Sequence, residues 1–246
     1  MKINFLTLAC TVMLLNTSTL WAQSNKSFIG ISGGISTPIG NYSKTDLGGY
    51  GHWNNNTGFA KTGFNLGVEG AYYVLPKIGI GGVFNFSDHG KLNRSDARQL
   101  GDSYTDAFAV DYTTVTTSKR YQTLNVLVGP YFSFPCHKFS FDVRLLGGWT
   151  KSISTPEISV QLEDDESNVF TQKSSTASAF GWQAGIGLRY ALTEKISLSI
   201  RGDYFYSSGI KIDNENRNNN AGRLVTNQTL SWINGSVGLA YAFGKK

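Results

Sequence analysis

Three short turn signals at nearly equal spacing constrain the fold of this chain more than any other feature. They are Leu75-Pro76-Lys77, Phe134–Lys138 and Leu192–Lys195, about 60 residues apart. Strand-like runs flank each turn, and long polar segments rich in Gly, Asn, Asp, Ser and Thr separate one pair of runs from the next. The chain therefore predicts strand, long loop, strand and short turn in repetition, which makes eight antiparallel strands.

Apolar and polar side chains alternate within the predicted strands, which is the period of β-structure. The seventh strand shows the pattern on its two faces, with Ile196, Leu198 and Ile200 opposed to Ser197, Ser199 and Arg201. An eight-stranded barrel is just wide enough inside for side chains to fill it, so the large apolar faces of several such strands would overfill it. They therefore face lipid, and the sequence predicts an all-β fold, an eight-stranded antiparallel up-and-down transmembrane β-barrel.

Composition agrees with this placement. Charged residues make up 16% of the chain and aromatic residues 13%, whereas a soluble domain carries about 25% charged residues. Aromatic side chains fall near both strand ends, with Phe84, Trp149 and Phe180 toward the long loops and Tyr72 and Tyr241 toward the short turns. Two such bands match the aromatic girdles at the membrane interfaces. The formal net charge of +5 is small and scattered, so no nucleic acid partner is expected.

The last predicted strand leaves its register open. If Val237 and Tyr241 face lipid, Leu230 and Trp232 point into the lumen. A β-bulge near Asn234-Gly235 is an alternative that would shift this register.

The same strand ends in a recognisable pattern. A polar residue is followed two positions later by glycine and then by aromatic residues at alternate positions, through Ser236, Gly238, Tyr241 and Phe243. This resembles the C-terminal membrane-insertion signal of outer-membrane proteins, although the chain continues through Gly244-Lys245-Lys246. With the hairpin order, the chain resembles the outer-membrane β-barrel domain of Gram-negative bacteria, of the porin-family or OmpA/OmpX type. Leu20-Trp21-Ala22 is similar to export signals of Bacteroidota.

This resemblance implies a place in the cell outer membrane, contact with its lipids and lipopolysaccharide, and insertion by the outer-membrane assembly machinery. The N-terminus fits such a route. A basic start at Lys2, an apolar stretch over residues 3–15 and a small residue at Ala22 predict a signal peptide over residues 1–22. The outer-membrane β-barrel is then expected to span residues 23–246.

Six charged residues fall on the inward faces of the predicted strands: Glu69, Asp142, Arg144, Arg189, Arg201 and Asp203. Three acids and three bases in a narrow interior are expected to pair, because an unpaired buried charge is strongly destabilising. The sequence thus predicts a polar network that plugs the lumen. A narrow porin-like channel for small solutes is the alternative.

Candidate chemistry is sparse. Some outer-membrane barrels of this size modify lipid A, which needs a histidine near a serine or an acid. The suggestive cluster is Ser87-Asp88-His89, although neighbours on a strand alternate faces. The acidic loop Glu163–Glu166 offers carboxylates to Ca²⁺ but lacks the spacing of a calcium loop. We therefore expect no catalytic residues, no metal and no cofactor, and a lipid A-modifying enzyme stays as an alternative.

The long loops contain further strand-like runs at Phe108–Thr116, Glu157–Leu162 and Val169–Ser174. They are expected to prolong barrel strands beyond the membrane as a protruding sheet, whose exposed edge would recruit an extracellular protein by strand addition. The segment Gly48–Gly58 adds aromatic and amide groups. The expected function is non-enzymatic, a structural, surface-interaction or adhesion role for a plugged barrel with long extracellular loops.

Overall fold

The structure, a computed structural model, describes residues 26–47, 56–165, 169–216 and 227–244. The signal peptide expected over residues 1–22 lies outside the described residues. So do most of the segment Gly48–Gly58 and the last residue of the acidic loop, Glu166.

The described residues form twelve strands and one α-helix, numbered here in chain order. The strands are β1 (Ser27–Pro38), β2 (Gly63–Tyr73), β3 (Ile78–Asp88), β4 (Thr113–Ser118), β5 (Gln122–Cys136), β6 (Phe139–Ser154), β7 (Glu157–Leu162), β8 (Val169–Gln172), β9 (Ser178–Ala191), β10 (Ile196–Lys211), β11 (Asn214–Asn216) and β12 (Asn227–Phe243), and the helix is α1 (Arg94–Phe108).

Eight of these strands close into an antiparallel barrel in the order β1-β12-β10-β9-β6-β5-β3-β2. The last strand returns to pair with the first, from Ser27 opposite Phe243 to Pro38 opposite Trp232. Every wall strand therefore has two partners, which satisfies the backbone groups that lipid cannot satisfy. The predicted eight-stranded up-and-down barrel is confirmed.

The wall strands alternate between a side chain outside and a side chain in the lumen, as the period of two predicts. On β10, Ile200 is exposed outside while Arg201 and Asp203 are buried inside. Large apolar side chains are exposed on the outer face of all eight wall strands. Soluble proteins rarely expose a continuous apolar belt of this extent, so this belt is the surface that contacts lipid.

β12 has no bulge at Asn234-Gly235, so its register follows the first of the two alternatives. β12 pairs with β10 without an irregularity at Asn234-Gly235, and the register shift of this pair lies between Ser207 and Ile210. Leu230 and Trp232 therefore point into the lumen, where both are fully buried. The bulge at Asn234-Gly235 is wrong because an apolar cluster inside the loop end of the barrel accommodates both side chains.

Beyond the barrel rim, four short strands form a second sheet in the order β11-β8-β7-β4. This order repeats that of four neighbouring wall strands, β10-β9-β6-β5, each separated from its short strand by two to five residues. The sheet is therefore an extension of one half of the wall. The strand predicted over Glu157–Leu162 is β7, and the one predicted over Val169–Ser174 is β8, which ends at Gln172.

The segment between β3 and β4 contains helix α1, which the sequence analysis missed. Asn93 caps the helix, since its side-chain oxygen accepts a hydrogen bond from the N–H of Asp96 at 2.8 Å. The apolar residues that pack against the protruding sheet recur at helical spacing: Ala97, Leu100, Tyr104 and Phe108. The strand predicted over Phe108–Thr116 is wrong in its first part, because Phe108 ends the helix and β4 begins only at Thr113.

No helix among the described residues has the length and apolar character needed to span a membrane.

Two apolar clusters lie at the loop end of the molecule. One is inside the barrel around Trp232 and Phe205. The other lies between α1 and the protruding sheet, around Leu100, Tyr104 and Val160. The protruding part thus buries apolar side chains in a core of its own, outside the membrane-spanning wall.

Candidate functional site

Arg144 is the centre of a buried ionic cluster in the lumen. Its guanidinium donates two hydrogen bonds to the carboxylate of Asp203, at 2.9 and 2.8 Å. A third goes to Oε2 of Glu69 at 2.7 Å. The other oxygen of Glu69 lies 2.8 Å from Nε of Arg201. Four charges of balanced sign from β2, β6 and β10 therefore pair across the barrel.

Asp142 organises the second part of the cluster. Its carboxylate accepts hydrogen bonds from Nε of Arg189 at 2.6 Å, from the hydroxyl of Tyr131 at 3.0 Å and from Oγ of Ser133 at 2.7 Å. Arg201 donates to the same Tyr131 hydroxyl at 2.6 Å. All six residues predicted on the inward faces thus lie in one hydrogen-bonded and ion-paired layer that crosses the lumen.

Aromatic residues extend this layer toward the turn end. The guanidinium carbon of Arg189 lies 4.1 Å from the centroid of the Phe28 ring, which is a cation–π contact. Phe28 is only 2% exposed, and its ring meets Tyr131 edge-on at 5.7 Å between centroids.

A second, apolar layer fills the lumen toward the loop end. The rings of Phe205 and Trp232 stack at 4.0 Å between centroids, and both side chains are fully buried. Tyr42, from the short 3₁₀ turn after β1, reaches into the same layer. An inward Trp232 was one of the two registers that the sequence left open, and nothing in the sequence indicated that Tyr42 folds back from a loop into the barrel.

His89 is buried in this second layer and pairs with a serine that the sequence analysis missed. Its Nε2 lies 2.7 Å from Oγ of Ser36, and its Nδ1 lies 3.3 Å from the hydroxyl of Tyr42. Burial lowers the pKa of His89 to about 4, against a weaker opposite effect of Asp88. Both Ser36 and His89 have no exposed surface, so this serine–histidine pair is enclosed and packs the mouth of the barrel.

The suggested cluster Ser87-Asp88-His89 does not form a unit. The carboxylate of Asp88 lies 2.6 Å from Nη2 of Arg120 and accepts the N–H of Gly90 at 2.9 Å. It therefore holds the segments that follow β3 and precede β5, while His89 turns toward Ser36. The three residues therefore do not converge, and His89 is fully buried.

The acidic loop stands at the distal end of the protruding sheet. Glu163 adopts a left-handed backbone with φ of 51°, and its N–H donates to the carbonyl of Tyr112 at 3.1 Å. In the part of the chain that the structure describes, no group of three or more Asp, Glu, His or Cys side chains is placed to hold a metal ion.

The residues of the expected insertion signal lie along β12. Ser236 and Gly238 face the lumen; a side chain at Gly238 would collide with the carbonyl of Ile31 at 2.5 Å. Tyr241 and Phe243 are exposed outside at the turn end of the barrel. This places a pair of aromatic rings at the level of one membrane interface.

The protruding sheet is open, with β4 at one end of its strand order and the three-residue strand β11 at the other. β4 pairs with β7 from Thr113 opposite Leu162 to Ser118 opposite Glu157, and no strand lies on its other side among the described residues. One face of β4 is covered by α1, since Gly101 packs over the side chains of Thr113 and Val115. On the opposite face, Thr114, Thr116 and Ser118 are exposed.

A closed eight-stranded barrel with an apolar outer belt, short turns at one end and long segments at the other is the architecture of a bacterial outer-membrane protein. The family model of the outer membrane protein beta-barrel domain matches residues 7–243, and the chain belongs to this family. The protein therefore lies in the cell outer membrane, with the short turns in the periplasm and the protruding sheet outside the cell.

No curated protein sequence matches the chain. Among solved structures it is similar to Neisserial surface protein A, with 10% identity over 88% of this chain and 97% of that chain and a TM-score of 0.43. It is also similar to Ail of Yersinia pestis, with 16% identity, coverage of 90% and 100%, and a TM-score of 0.38. The outer membrane protease OmpT of Escherichia coli has 10% identity, coverage of 93% and 100%, and a TM-score of 0.44. The family assignment depends on the family model.

Proposed function

We propose that this protein is a non-enzymatic surface-interaction protein. Its barrel is closed to solutes and anchors the protruding sheet, and the edge strand β4 binds an extended segment of another protein. The observation that carries this proposal is the edge of β4 that no described strand covers, on a sheet whose strands are joined to the membrane-spanning wall by only two to five residues each.

The edge of β4 lacks the features that usually protect such strands. Proteins blunt exposed edges with charges, prolines or bulges. The sequence of β4, Thr-Thr-Val-Thr-Thr-Ser, contains no charged residue and no proline. Its register against β7 is unbroken, so this pair has no bulge. β-Branched residues also favour the extended conformation. An unprotected edge is what strand addition requires, because the main chain supplies the hydrogen bonds.

The two layers in the lumen support a plugged barrel over a channel. The ionic layer around Arg144 and the apolar layer around Trp232 lie in series along the barrel axis. In planar lipid bilayers we expect no steady ionic conductance from the protein or from its Arg201→Ala variant, because the apolar layer still closes the lumen. A steady conductance of the unmodified protein would favour a narrow channel.

Peptide selection tests the binding role. The protein in nanodiscs is panned against a phage library of random decapeptides, and amide exchange is then measured with a selected peptide. We expect protection of β4 amides on binding. Successive N–H groups of a strand point to opposite edges, so one of Thr116→Pro and Thr117→Pro removes a free-edge donor and abolishes binding with the sheet intact. Peptides that leave β4 exchange unchanged would refute the proposal.

Two further proposals concern processing and assembly. We propose that residues 1–22 are removed as a signal peptide, so that the intact mass of the protein from outer membranes begins at Gln23. We propose that Ser236, Gly238, Tyr241 and Phe243 form the signal read by the assembly machinery.

Mass spectrometry of lipid A from cells with and without the protein tests the enzymatic alternative, which predicts a changed acyl pattern.

A further inference from the structure

We infer that the segment bound by β4 is a distinct polypeptide whose end beside the distal tip of the sheet is basic. This inference rests on the proposed strand addition at β4 and adds the chemistry of the partner. It follows from the distribution of charge along the edge and from the orientation that the membrane imposes on the sheet.

The distal end of β4 is strongly acidic. Asp111 lies just before β4, and its N–H donates to Oε1 of Glu163 at 3.4 Å. Asp164 forms a side-chain hydrogen bond with Tyr112, which together with burial and nearby carboxylates raises the pKa of Tyr112. Among the ion pairs of the described residues, none includes Asp111, Glu163 or Asp164. An incoming strand therefore meets a concentrated negative charge at this end.

The membrane-proximal end of β4 is electrically balanced. Nζ of Lys119 lies 3.0 Å from Oε2 of Glu157, and Nη2 of Arg120 lies 2.6 Å from Oδ1 of Asp88. Charge along the edge thus runs from negative at the tip to neutral near the membrane. Complementary potentials set register and partner choice at interfaces, so the partner is expected to carry cations only at the tip end.

The direction of the chain decides which end of the partner is basic. β4 runs from the acidic tip toward the membrane, and the protruding sheet is antiparallel throughout. An antiparallel addition places the C-terminal end of the incoming strand beside the tip. Because antiparallel pairs are the more frequent kind, we expect the cations to follow the bound stretch in the partner sequence.

A second copy of this chain does not fit the edge. A copy in the same membrane has the same orientation, so a parallel pairing would set its acidic tip against the identical tip and the like charges would repel. An antiparallel pairing would need an inverted copy in another membrane, brought within the length of a six-residue strand. The partner is therefore a different polypeptide.

Four synthetic peptides test this inference against the protein in nanodiscs. One has three Thr-Val repeats followed by three lysines. The second and third peptides have the same repeats followed by three glutamates and by three serines. The fourth has the three lysines at the N-terminal end of the repeats. We expect the C-terminal lysine peptide to bind at least tenfold more tightly than the serine peptide at low ionic strength, and the glutamate peptide to bind more weakly than either. The preference should shrink with added salt, because exposed charges are screened.

Charge variants locate the effect. In the double variant Asp111→Asn with Asp164→Asn, which keeps Glu163, we expect the preference for the lysine peptide over the serine peptide to fall below the tenfold expected of the unmodified protein, with the affinity for the serine peptide unchanged. Glu194→Gln, which removes a carboxylate from a periplasmic turn, is the matched control and should keep the preference. Binding of no peptide would overturn the strand addition itself. Equal binding of the serine and lysine peptides by the unmodified protein, or tighter binding of the N-terminal lysine peptide, would overturn only the inference about the partner.

Discussion

Replacing Arg144 by methionine removes the cation with the most partners in the lumen. Arg144 is 5% exposed and is hydrogen-bonded to both Asp203 and Glu69. Glu69 keeps Arg201 in the variant, but Asp203 loses its cation and stays buried. Breaking a buried ion pair on one side costs about 3–5 kcal/mol, so we expect the free energy of unfolding to fall by about 4 kcal/mol.

A second substitution separates loss of charge balance from loss of packing. In Arg144→Met with Asp203→Asn both signs disappear together, and Glu69, Asp142, Arg189 and Arg201 remain paired. We expect the double variant to regain at least about 2 kcal/mol, because replacing a whole buried ion pair is often nearly neutral.

Urea-induced unfolding from lipid vesicles, followed by tryptophan fluorescence, measures these changes. Lys151→Met is the control, since Lys151 lies on the same strand but on the outer face, and we expect a change below about 1 kcal/mol. A loss below about 1 kcal/mol for Arg144→Met, or a double variant no more stable than the single one, would contradict a network held by charge pairing.

Three further predictions use the same measurement. The folded pKa of His89 lies at about 4, below its ordinary value of 6.5, so its contribution is fully present above pH 6.5 and is lost as the pH falls toward 4. The loss amounts to about 3 kcal/mol, and it should be absent in His89→Gln. Trp232→Ala should cost about 3–5 kcal/mol, and Trp149→Ala clearly less, because Trp149 is 45% exposed to lipid; equal losses would contradict the apolar layer. Gly185→Ala places a methyl group against the Asp203 carboxylate and should cost about 1–3 kcal/mol. Gly202→Ala, with no atom within 4 Å, should change stability by less than about 0.5 kcal/mol, and equal effects at the two glycines would be contrary to the assigned faces.

The wall of the barrel could be predicted from the sequence because its constraint is local. In β10 the apolar Ile200 and the charged Arg201 point to opposite faces. Such a strand has only two possible orientations, and lipid on one side selects one of them. The six charged residues of the lumen follow from the same alternation. Their pairing could be expected as well, because charges confined to a narrow interior have few other partners.

The protruding part could be predicted only where it repeats the strand pattern. The bounds of β7 follow from its alternation, whereas α1 was missed because its apolar residues at helical spacing stand among polar residues typical of a loop. The capping contact of Asn93 with Asp96 is local. The stronger reason for the helix is its packing on β4 and β7, and that depends on strands distant in the sequence.

The contacts that close the mouth of the barrel were decided by tertiary structure. Ser36 and His89 are 53 residues apart and meet at 2.7 Å, and Tyr42 joins them only because a turn after β1 folds inward. For the strands with clear alternation, the sequence by itself determined which face meets lipid, because that choice depends on neighbouring residues and on the membrane. It left the register of β12 open. The strand pattern of β5 is prolonged beyond the rim by β4, whereas no strand of the protruding sheet prolongs β3, and this difference leaves β4 at an edge. Such relations between distant segments exist only in the closed fold.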